Sequence, residues 1–195
     1  TLAPSLEFSP DGRFLALAAY DRGFEIRDPA TGALVKRLKT DDMARSVAFS
    51  PSGDLLATGT YDGRVQLWST ESWRPVGPPL EGHDGRILSL TFTPDGRTLA
   101  SGSEDGTVLL RDVETQRPIG SAALPVDPGV FVAGLFSRDG SQLFAVSSDE
   151  PAVRLDTTVE AWKDHACVVA GRQLTRDEWD DVLPDRTYSP VCAAD

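Results

Sequence analysis

Short apolar segments alternate with glycine-containing turns along most of the chain. Four turns share one pattern, with Ser or Thr first, Asp or Ser third and Gly fourth, at residues 9–12, 50–53, 93–96 and 137–140. Pro, present in three of them, fixes φ at the first corner, and Gly accepts a positive φ at the end. The turns recur at intervals of 41, 43 and 44 residues. This period predicts repeated four-stranded units of about 40–45 residues.

Apolar strands flank each of these turns. The strands that precede a turn are predicted at residues 6–8, 47–49, 90–92 and 134–136, and those that follow it at 14–18, 55–58, 98–101 and 142–146. The second set is apolar almost without interruption. Such continuity is typical of strands that are buried on both faces.

A second tight turn, containing Asp in every repeat, leads into a third strand. Asp-Gly between two strands is a strong hairpin signal. Third strands are predicted at residues 24–27, 64–68, 107–111 and 152–155, and outer strands at 33–38, 75–80 and 118–124. The prolines in the outer strands suit a sheet edge, where a missing N–H costs little.

Two repeats carry the sequence signature of a known family. Residues 99–108 read Leu-Ala-Ser-Gly-Ser-Glu-Asp-Gly-Thr-Val, and residues 56–63 read Leu-Ala-Thr-Gly-Thr-Tyr-Asp-Gly. Residues 65–68 and 81–83 read Val-Gln-Leu-Trp and Glu-Gly-His. With these segments, residues 5–156 resemble the WD-repeat family. The resemblance implies an all-β fold, a WD-repeat β-propeller, with four blades in residues 1–156.

The resemblance also implies a hydrogen-bonded tetrad of His, Ser or Thr, Asp and Trp, of which this chain keeps only parts. His83 takes the His position in the third repeat, and Trp68 takes the Trp position in the second. The Asp position is filled in all four repeats, by Asp21, Asp62, Asp105 and Asp149. The Trp position is otherwise held by Arg27, Arg111 and Leu155. Only partial hydrogen-bond networks are therefore expected, which lowers the expected rigidity.

The fourth repeat has three predicted strands, so the ring of blades is incomplete. Propellers close with about four to eight blades. We expect the chain to be the C-terminal part of a larger propeller, and the alternative is a ring made by two copies.

Residues 157–195 have a different pattern, which predicts a C-terminal tail that forms a helical hairpin packed on the propeller. Residues 157–160 and 175–178 each place Glu three residues after Thr, as in a capping box. Pro184 ends the second predicted helix. Residues 166–179, 183–184 and 188–192 look like the closing segment of actinobacterial WD-repeat proteins, in which the propeller often follows a signalling NTPase or protein kinase domain.

The two cysteines, Cys167 and Cys192, both lie in this tail. A disulfide between them is one possibility, and two buried free thiols in a reducing cytosol are the other. A zinc site needs about four ligands, and only His165 stands near Cys167. No metal site is predicted.

Charge and composition exclude several kinds of partner. The chain has 30 acidic and 19 basic residues, a net charge of −11. Most of its surface would repel DNA or RNA, because nucleic-acid affinity rests on neutralising phosphates with Lys and Arg. It contains no run of about 18 apolar residues and no visible secretion signal. We therefore expect a cytoplasmic protein that binds neither nucleic acid nor membrane.

No catalytic motif stands out. The sequence has no Gly-x-Ser-x-Gly elbow, no phosphate-binding Gly-rich loop and no cluster of metal ligands. His83 beside Asp84 could act as a general base, but no nucleophile is placed beside them, and a structural role is the preferred interpretation. We predict no enzyme activity and no cofactor.

The predicted function is protein binding by a scaffold or sensor module that regulates an attached signalling domain. The alternatives are a hydrolase carried on a propeller and a structural subunit that completes a ring. Loops carry recognition in such folds because the strands are committed to packing. The candidate contact residues are Tyr20, Arg22, Tyr61, Arg64, Arg86 and Arg111.

Overall fold

The regular structure of the residues that can be described consists of β-strands arranged in four antiparallel sheets. The computed structural model describes residues 5–19, 23–123, 133–146 and 152–157. Within each sheet the strands are adjacent in the order in which they follow along the chain. The prediction of an all-β fold with repeated sheets is confirmed.

Sheet 1 and sheet 2 each have four strands. Those of sheet 1 are β1 Leu6–Phe8, β2 Leu15–Ala18, β3 Phe24–Arg27 and β4 Leu34–Leu38. Those of sheet 2 are β5 Ala44–Phe49, β6 Leu55–Thr60, β7 Val65–Ser69 and β8 Pro75–Leu80.

Sheet 3 has four strands and sheet 4 has three in the part of the chain that the structure describes. Those of sheet 3 are β9 Ile87–Phe92, β10 Thr98–Ser103, β11 Thr107–Asp112 and β12 Pro118–Ala123. Those of sheet 4 are β13 Ala133–Phe136, β14 Gln142–Val146 and β15 Val153–Asp156.

The turn between the first two strands of each sheet is held by its own side chains. In sheet 1, the Ser9 hydroxyl donates to Asp11 Oδ1 at 2.6 Å and accepts the backbone N–H of Phe14 at 2.9 Å. Gly12 lies in the left-handed region at φ 73°. In sheet 4, the hydrogen bond from Ser137 and those from the backbone N–H and hydroxyl of Ser141 lower the pKa of Asp139 to about 2. The repeated turn is therefore a hydrogen-bonded unit rather than a loose loop.

Successive sheets pack face to face and bury three apolar clusters. The first lies between sheets 1 and 2 and includes Ala16, Phe24, Phe49 and Trp68. The second joins sheets 2 and 3, and the third joins sheets 3 and 4. Each middle sheet has an apolar side chain on both faces, which explains the nearly continuous apolar character of β6 and β10.

The first strands of neighbouring sheets lie beside one another, and polar side chains connect their edges. Glu7 Oε2 accepts the backbone N–H of Phe49 at 3.0 Å. The hydroxyl of Ser89 accepts the backbone N–H of Gly134 at 3.2 Å. A cleft of about 450 Å³ runs along these strands, lined by residues that include Glu7 and Phe49. The contacts satisfy N–H groups that an edge strand otherwise leaves unpaired.

Several predictions concern residues beyond those that the structure describes. They include all but the first residue of the helical tail predicted over residues 157–195, with the cysteines Cys167 and Cys192. Thr157 is described, and it follows β15, which ends at Asp156. Its hydroxyl donates to the backbone oxygen of Gly140 at 2.7 Å, as the Thr70 hydroxyl does to that of Gly53 in sheet 2.

Gly59 offers a direct test of the packing between sheets 2 and 3. A Cβ at this position would lie 2.5 Å from Ile87 Cγ2 and 2.5 Å from the Ser46 hydroxyl. We expect Gly59→Ala to lower the free energy of unfolding by about 1–3 kcal/mol, because it overpacks a close contact. Urea unfolding followed by circular dichroism measures this change.

The matched control is Gly134→Ala. A Cβ there would meet only the flexible end of the Leu143 side chain, at 3.3 Å. A loss below about 1 kcal/mol is expected, since a small side-chain shift relieves the contact. Equal losses for the two variants would contradict close packing at Gly59.

Candidate functional site: a rim of loops at one end of the sheets

Four loops lie at the same end of sheets 1 to 3 and form a rim. They join β4 to β5, β6 to β7, β8 to β9 and β10 to β11, and comprise residues 39–43, 61–64, 81–86 and 104–106. The repeated Ser/Thr turns lie at the other end, because antiparallel strands alternate in direction. Three of the six predicted contact residues, Tyr61, Arg64 and Arg86, lie on this rim.

An aromatic ring and a guanidinium connect two of the loops. The Arg86 guanidinium lies 4.8 Å from the centre of the Tyr61 ring. Its Nε lies 3.2 Å from Glu104 Oε2. The backbone N–H of Tyr61 donates to the oxygen of Met43 at 3.1 Å, which fixes the start of the turn. The cation–π contact thus bridges sheets 2 and 3 at the rim, and the ion pair holds Arg86 to the β10–β11 loop of sheet 3.

Arg64 forms a second group of charges close by. Its guanidinium lies 3.1 Å from Asp62 Oδ2 and 3.7 Å from Glu81 Oε1. All three side chains are partly or largely exposed, so the ion pairs contribute little to stability, about 0–1 kcal/mol each. Their main effect is on the charge that the rim presents.

The rim carries more negative than positive charge. The basic residues are Lys39, Arg64 and Arg86. The acidic residues are Asp41, Asp42, Asp62, Glu81, Asp84, Glu104 and Asp105. Both arginines are paired with carboxylates, so the surface left for a partner is acidic.

Beneath the rim, His83 connects two loops of sheet 3 to its second strand. His83 Nδ1 lies 3.0 Å from Asp105 Oδ2, and Nε2 lies 2.9 Å from the Ser101 hydroxyl. The neighbouring Asp84 contributes its backbone N–H, which donates to Asp105 Oδ2 at 2.9 Å. The side chain of His83 is only 1% exposed. His83 is therefore paired with Asp105, and substrate cannot reach its ring in this arrangement.

Burial and hydrogen bonds determine the protonation of His83 and Asp105. It lowers the pKa of His83, and the nearby Asp105 carboxylate offsets this only in part. Burial raises the pKa of Asp105, but hydrogen bonds from Thr107 and from the backbone N–H of Asp84 outweigh it and hold that pKa below its usual value. The native arrangement is therefore a neutral imidazole beside a carboxylate.

Arg111 does not belong to the rim surface, contrary to the prediction that it is a contact residue. It is only 7% exposed. Its Nη2 donates to the backbone oxygen of Glu81, and its Nε is buried without a hydrogen-bond partner. Burial lowers the pKa of its guanidinium. The side chain faces sheet 2 because it occupies the Trp position of the repeat.

Sheet 2 shows what a Trp does at that position. Trp68 Nε1 donates to the Thr58 hydroxyl at 2.8 Å. Thr40, at the His position, instead donates its hydroxyl to the backbone oxygen of Asp42 at 2.7 Å. Sheet 2 thus has the Trp half of a tetrad and sheet 3 the His half. Tyr20, Asp21, Arg22 and Asp149 lie outside the described residues.

Two carboxylates, one buried and one partly buried, were not anticipated from the sequence. Glu25 lies between two guanidinium groups, with Arg27 Nη2 and Arg37 Nη2 each 2.6 Å from its oxygens. These hydrogen bonds lower the pKa of Glu25. Burial raises the pKa of Glu7 in the cleft between the first strands. The sequence did contain a signal for the buried Glu25, because Glu25 and Arg27 occupy alternate positions of β3 and therefore lie on the same face.

The described residues contain neither a metal site nor a membrane-spanning helix. They contain no group of three or more His, Cys, Asp or Glu side chains placed to hold a metal ion. They also contain no helix long and apolar enough to cross a membrane.

Residues 47–126 match the family model of the WD40 domain of anaphase-promoting complex subunit 4. No curated protein matches the chain. The match spans sheets 2 and 3, and the same sheet pattern extends to both sides of it. The match and the sheets together support the WD-repeat family. Four antiparallel sheets packed in series fit a β-propeller of this family.

The stability of the four sheets should fall as the solution is acidified below pH 6.5. The unfolded chain binds a proton at His83 near the ordinary value of 6.5, while the folded chain binds it only at lower pH. Protonation of His83 therefore favours unfolding. This destabilisation is absent above pH 6.5, where the imidazole is neutral in both states. Urea midpoints measured between pH 7.5 and 5.0 should decrease with pH.

His83→Gln is the matched variant for this experiment. It retains His165, the only other histidine, and lacks the buried imidazole. The decrease in midpoint from pH 7.5 to 5.0 should be smaller in the variant than in the original chain. Identical pH profiles would show that His83 has an ordinary pKa in the folded state.

Replacement of Arg111 by Trp should stabilise sheet 3. The change removes a buried Nε that lacks a partner and allows an indole N–H to reach Ser101, as Trp68 reaches Thr58. We expect the free energy of unfolding to rise by about 1–2 kcal/mol. Urea unfolding at pH 7.5 measures it.

Arg27→Trp is the control for that variant. Arg27 holds the same position in sheet 1, but it is partly exposed and paired with Glu25. No gain is expected there, because the substitution breaks an ion pair and removes no orphaned group. A gain of the same size at both positions would mean that the unpartnered Nε is not the cause.

Proposed function

We propose that this chain is a protein-interaction module whose rim binds a basic surface of another protein. Similarity to a WD40 domain suggests protein–protein interaction in general. The observation that carries the specific proposal is the charge of the rim, because its four loops carry seven acidic residues and three basic ones. An acidic surface with a fixed aromatic residue suits a partner that presents Lys and Arg.

The rim loops are well placed to recognise a partner without large rearrangement. Tyr61 is anchored by the oxygen of Met43 and by the Arg86 guanidinium. Arg86 is anchored in turn by Glu104. Because these side chains are already ordered, a partner that contacts them loses less conformational entropy on binding. Tyr and Arg are also the residue types that most often dominate binding energy.

We further propose that the module regulates a signalling domain in the same polypeptide. The support is the likeness of residues 166–179, 183–184 and 188–192 to the closing segment of actinobacterial WD-repeat proteins. In such an arrangement, binding at the rim would report the presence of the partner to an NTPase or kinase domain. This step rests on analogy with proteins of the same architecture.

The hydrolase alternative has less support. Its candidate general base, His83, is buried and bonded to Asp105 and Ser101. A catalytic base must come within hydrogen-bond reach of the proton that it removes. A substrate could meet that condition only after the loops of sheet 3 had moved.

The rim proposal can be tested by capture from a lysate of the source cells with the full chain as bait. Tyr61→Ala removes the aromatic contact, and Glu81→Gln removes an exposed acidic charge of the rim. Each should reduce the recovery of the partner and weaken its measured affinity about tenfold, a cost of about 1.4 kcal/mol. Higher salt should weaken binding further, because the attraction is between surface charges. Quantitative mass spectrometry identifies the proteins that the variants lose.

Arg13→Ala serves as the control. Arg13 is an exposed arginine in the turn between β1 and β2, at the end of the sheets opposite to the rim. This variant should recover the same partner as the original chain. Loss of the partner in all three variants, or in none, would contradict binding at the rim.

A further inference from the structure

The three buried interfaces share one arrangement of small and large side chains. The second strand of one sheet contributes an alanine, and the next sheet contributes a phenylalanine and a leucine. Between sheets 1 and 2 these are Ala16 against Phe49 and Leu56. The later interfaces repeat the arrangement with Ala57 against Phe92 and Leu99, and with Ala100 against Phe136 and Leu143.

The small side chain is required because the sheets approach closely at this point. All three alanines are at most 2% exposed. Two residues after Ala57, Gly59 has no room even for a Cβ beside Ile87. A large side chain at these positions would meet the Phe and Leu of the next sheet. Close-packed interiors do not absorb such an increase in volume without strain.

Sheet 1 exposes the large side chains of this arrangement, a phenylalanine and a leucine, on the face that points away from sheet 2. Phe8 and Leu15 stand where sheet 2 has Phe49 and Leu56, yet Phe8 is 56% exposed while Phe49 is 5% exposed. Leu6, also exposed, and Leu17 lie on the same face, since Leu6 pairs with Leu17 and Phe8 with Leu15 across β1 and β2. We call these four residues the open face of sheet 1.

Sheet 4 does not present the small side chains that would fit against this open face of sheet 1. Its exposed face, the open face of sheet 4, carries Leu135, Phe144 and Val146, all at least 40% exposed. Sheet 3 has Thr91, Ala100 and Gly102 at the equivalent positions. Phe144 therefore stands where the other sheets have alanine, and the open face of sheet 4 is large where an internal interface requires it to be small.

We propose that the open face of sheet 1 binds another sheet of the WD-repeat type, one that presents Ala followed two residues later by Ala or Gly on its second strand. Such a sheet would reproduce the three internal interfaces. Sheet 4 of a second copy does not fit, because the Phe144 ring would meet Phe8 and Leu15. This docking face is separate from the rim, and the proposal does not depend on the function of the rim.

The test creates the missing partner on the chain itself. The triple variant Leu135→Thr, Phe144→Ala, Val146→Gly gives sheet 4 the residues that sheet 3 carries at the same positions. The open face of sheet 4 in a second copy then presents the small side chains that the open face of sheet 1 requires. Sedimentation velocity and light scattering of the full chains at micromolar concentration give their masses. Circular dichroism checks that each variant is folded.

The original chain should not associate through these faces. The triple variant should associate to at least twice the mass of one chain, with affinity at least about tenfold higher than that of the original. Adding Phe8→Glu to the triple variant should abolish the association, since a carboxylate cannot be buried there. Adding Met43→Glu, a substitution at an exposed apolar residue of the rim, should leave it unchanged.

Two results would overturn the proposal. One is a folded triple variant that associates no more strongly than the original chain. The other is self-association of the original chain that Phe8→Glu and Phe144→Glu each abolish, because sheet 4 would then be the natural partner of sheet 1.

Discussion

The packing of one sheet against the next is the interaction on which the whole structure depends. A middle sheet has apolar side chains on both faces, so it cannot bury them within itself and is stable only between two neighbours. Sheet 2 illustrates this, because Phe49 and Trp68 face sheet 1 while Ala57 and Leu67 face sheet 3. The rim loops inherit their positions from this packing. Tyr61 meets Arg86 only because β6 and β9 are held at a fixed separation.

Hydrogen-bond networks add to this packing but do not replace it. Sheet 2 has the Trp68–Thr58 pair without a His, and sheet 3 has His83, Ser101 and Asp105 without a Trp. Both sheets nevertheless have the same order of strands. Each also packs an alanine of its second strand against a phenylalanine and a leucine of the next sheet. Either half of the tetrad is therefore compatible with the fold. The cost of an incomplete tetrad appears locally instead, as the unpartnered Nε of Arg111 in sheet 3.

The sequence predicted the features that depend on local chemistry. The turns at residues 9–12 and 93–96 follow from the conformational preferences of Pro and Gly, and the strands beside them follow from apolar runs. The first strands were predicted too short, at residues 47–49 and 90–92 instead of Ala44–Phe49 and Ile87–Phe92, because bulges interrupt the alternation near Ala44 and opposite Ser103. Contacts between sheets were not predictable, since they depend on which side chain of another repeat lies opposite. The burial of Arg111 is the clearest case, although its place at the Trp position was a signal that it faces inward.

The two surfaces with candidate partners differ in chemistry, and this difference separates their roles. The rim is acidic and its aromatic residue is held by charged neighbours, so it selects partners through charge and remains sensitive to salt. The open face of sheet 1 is apolar at Leu6, Phe8 and Leu15, and its selectivity comes from the size of the opposing side chain. The two surfaces do not overlap, since the rim lies at the ends of the strands and the open face is the outer face of sheet 1. A partner at the rim and a sheet on the open face can therefore be bound together, because neither covers the residues that the other needs.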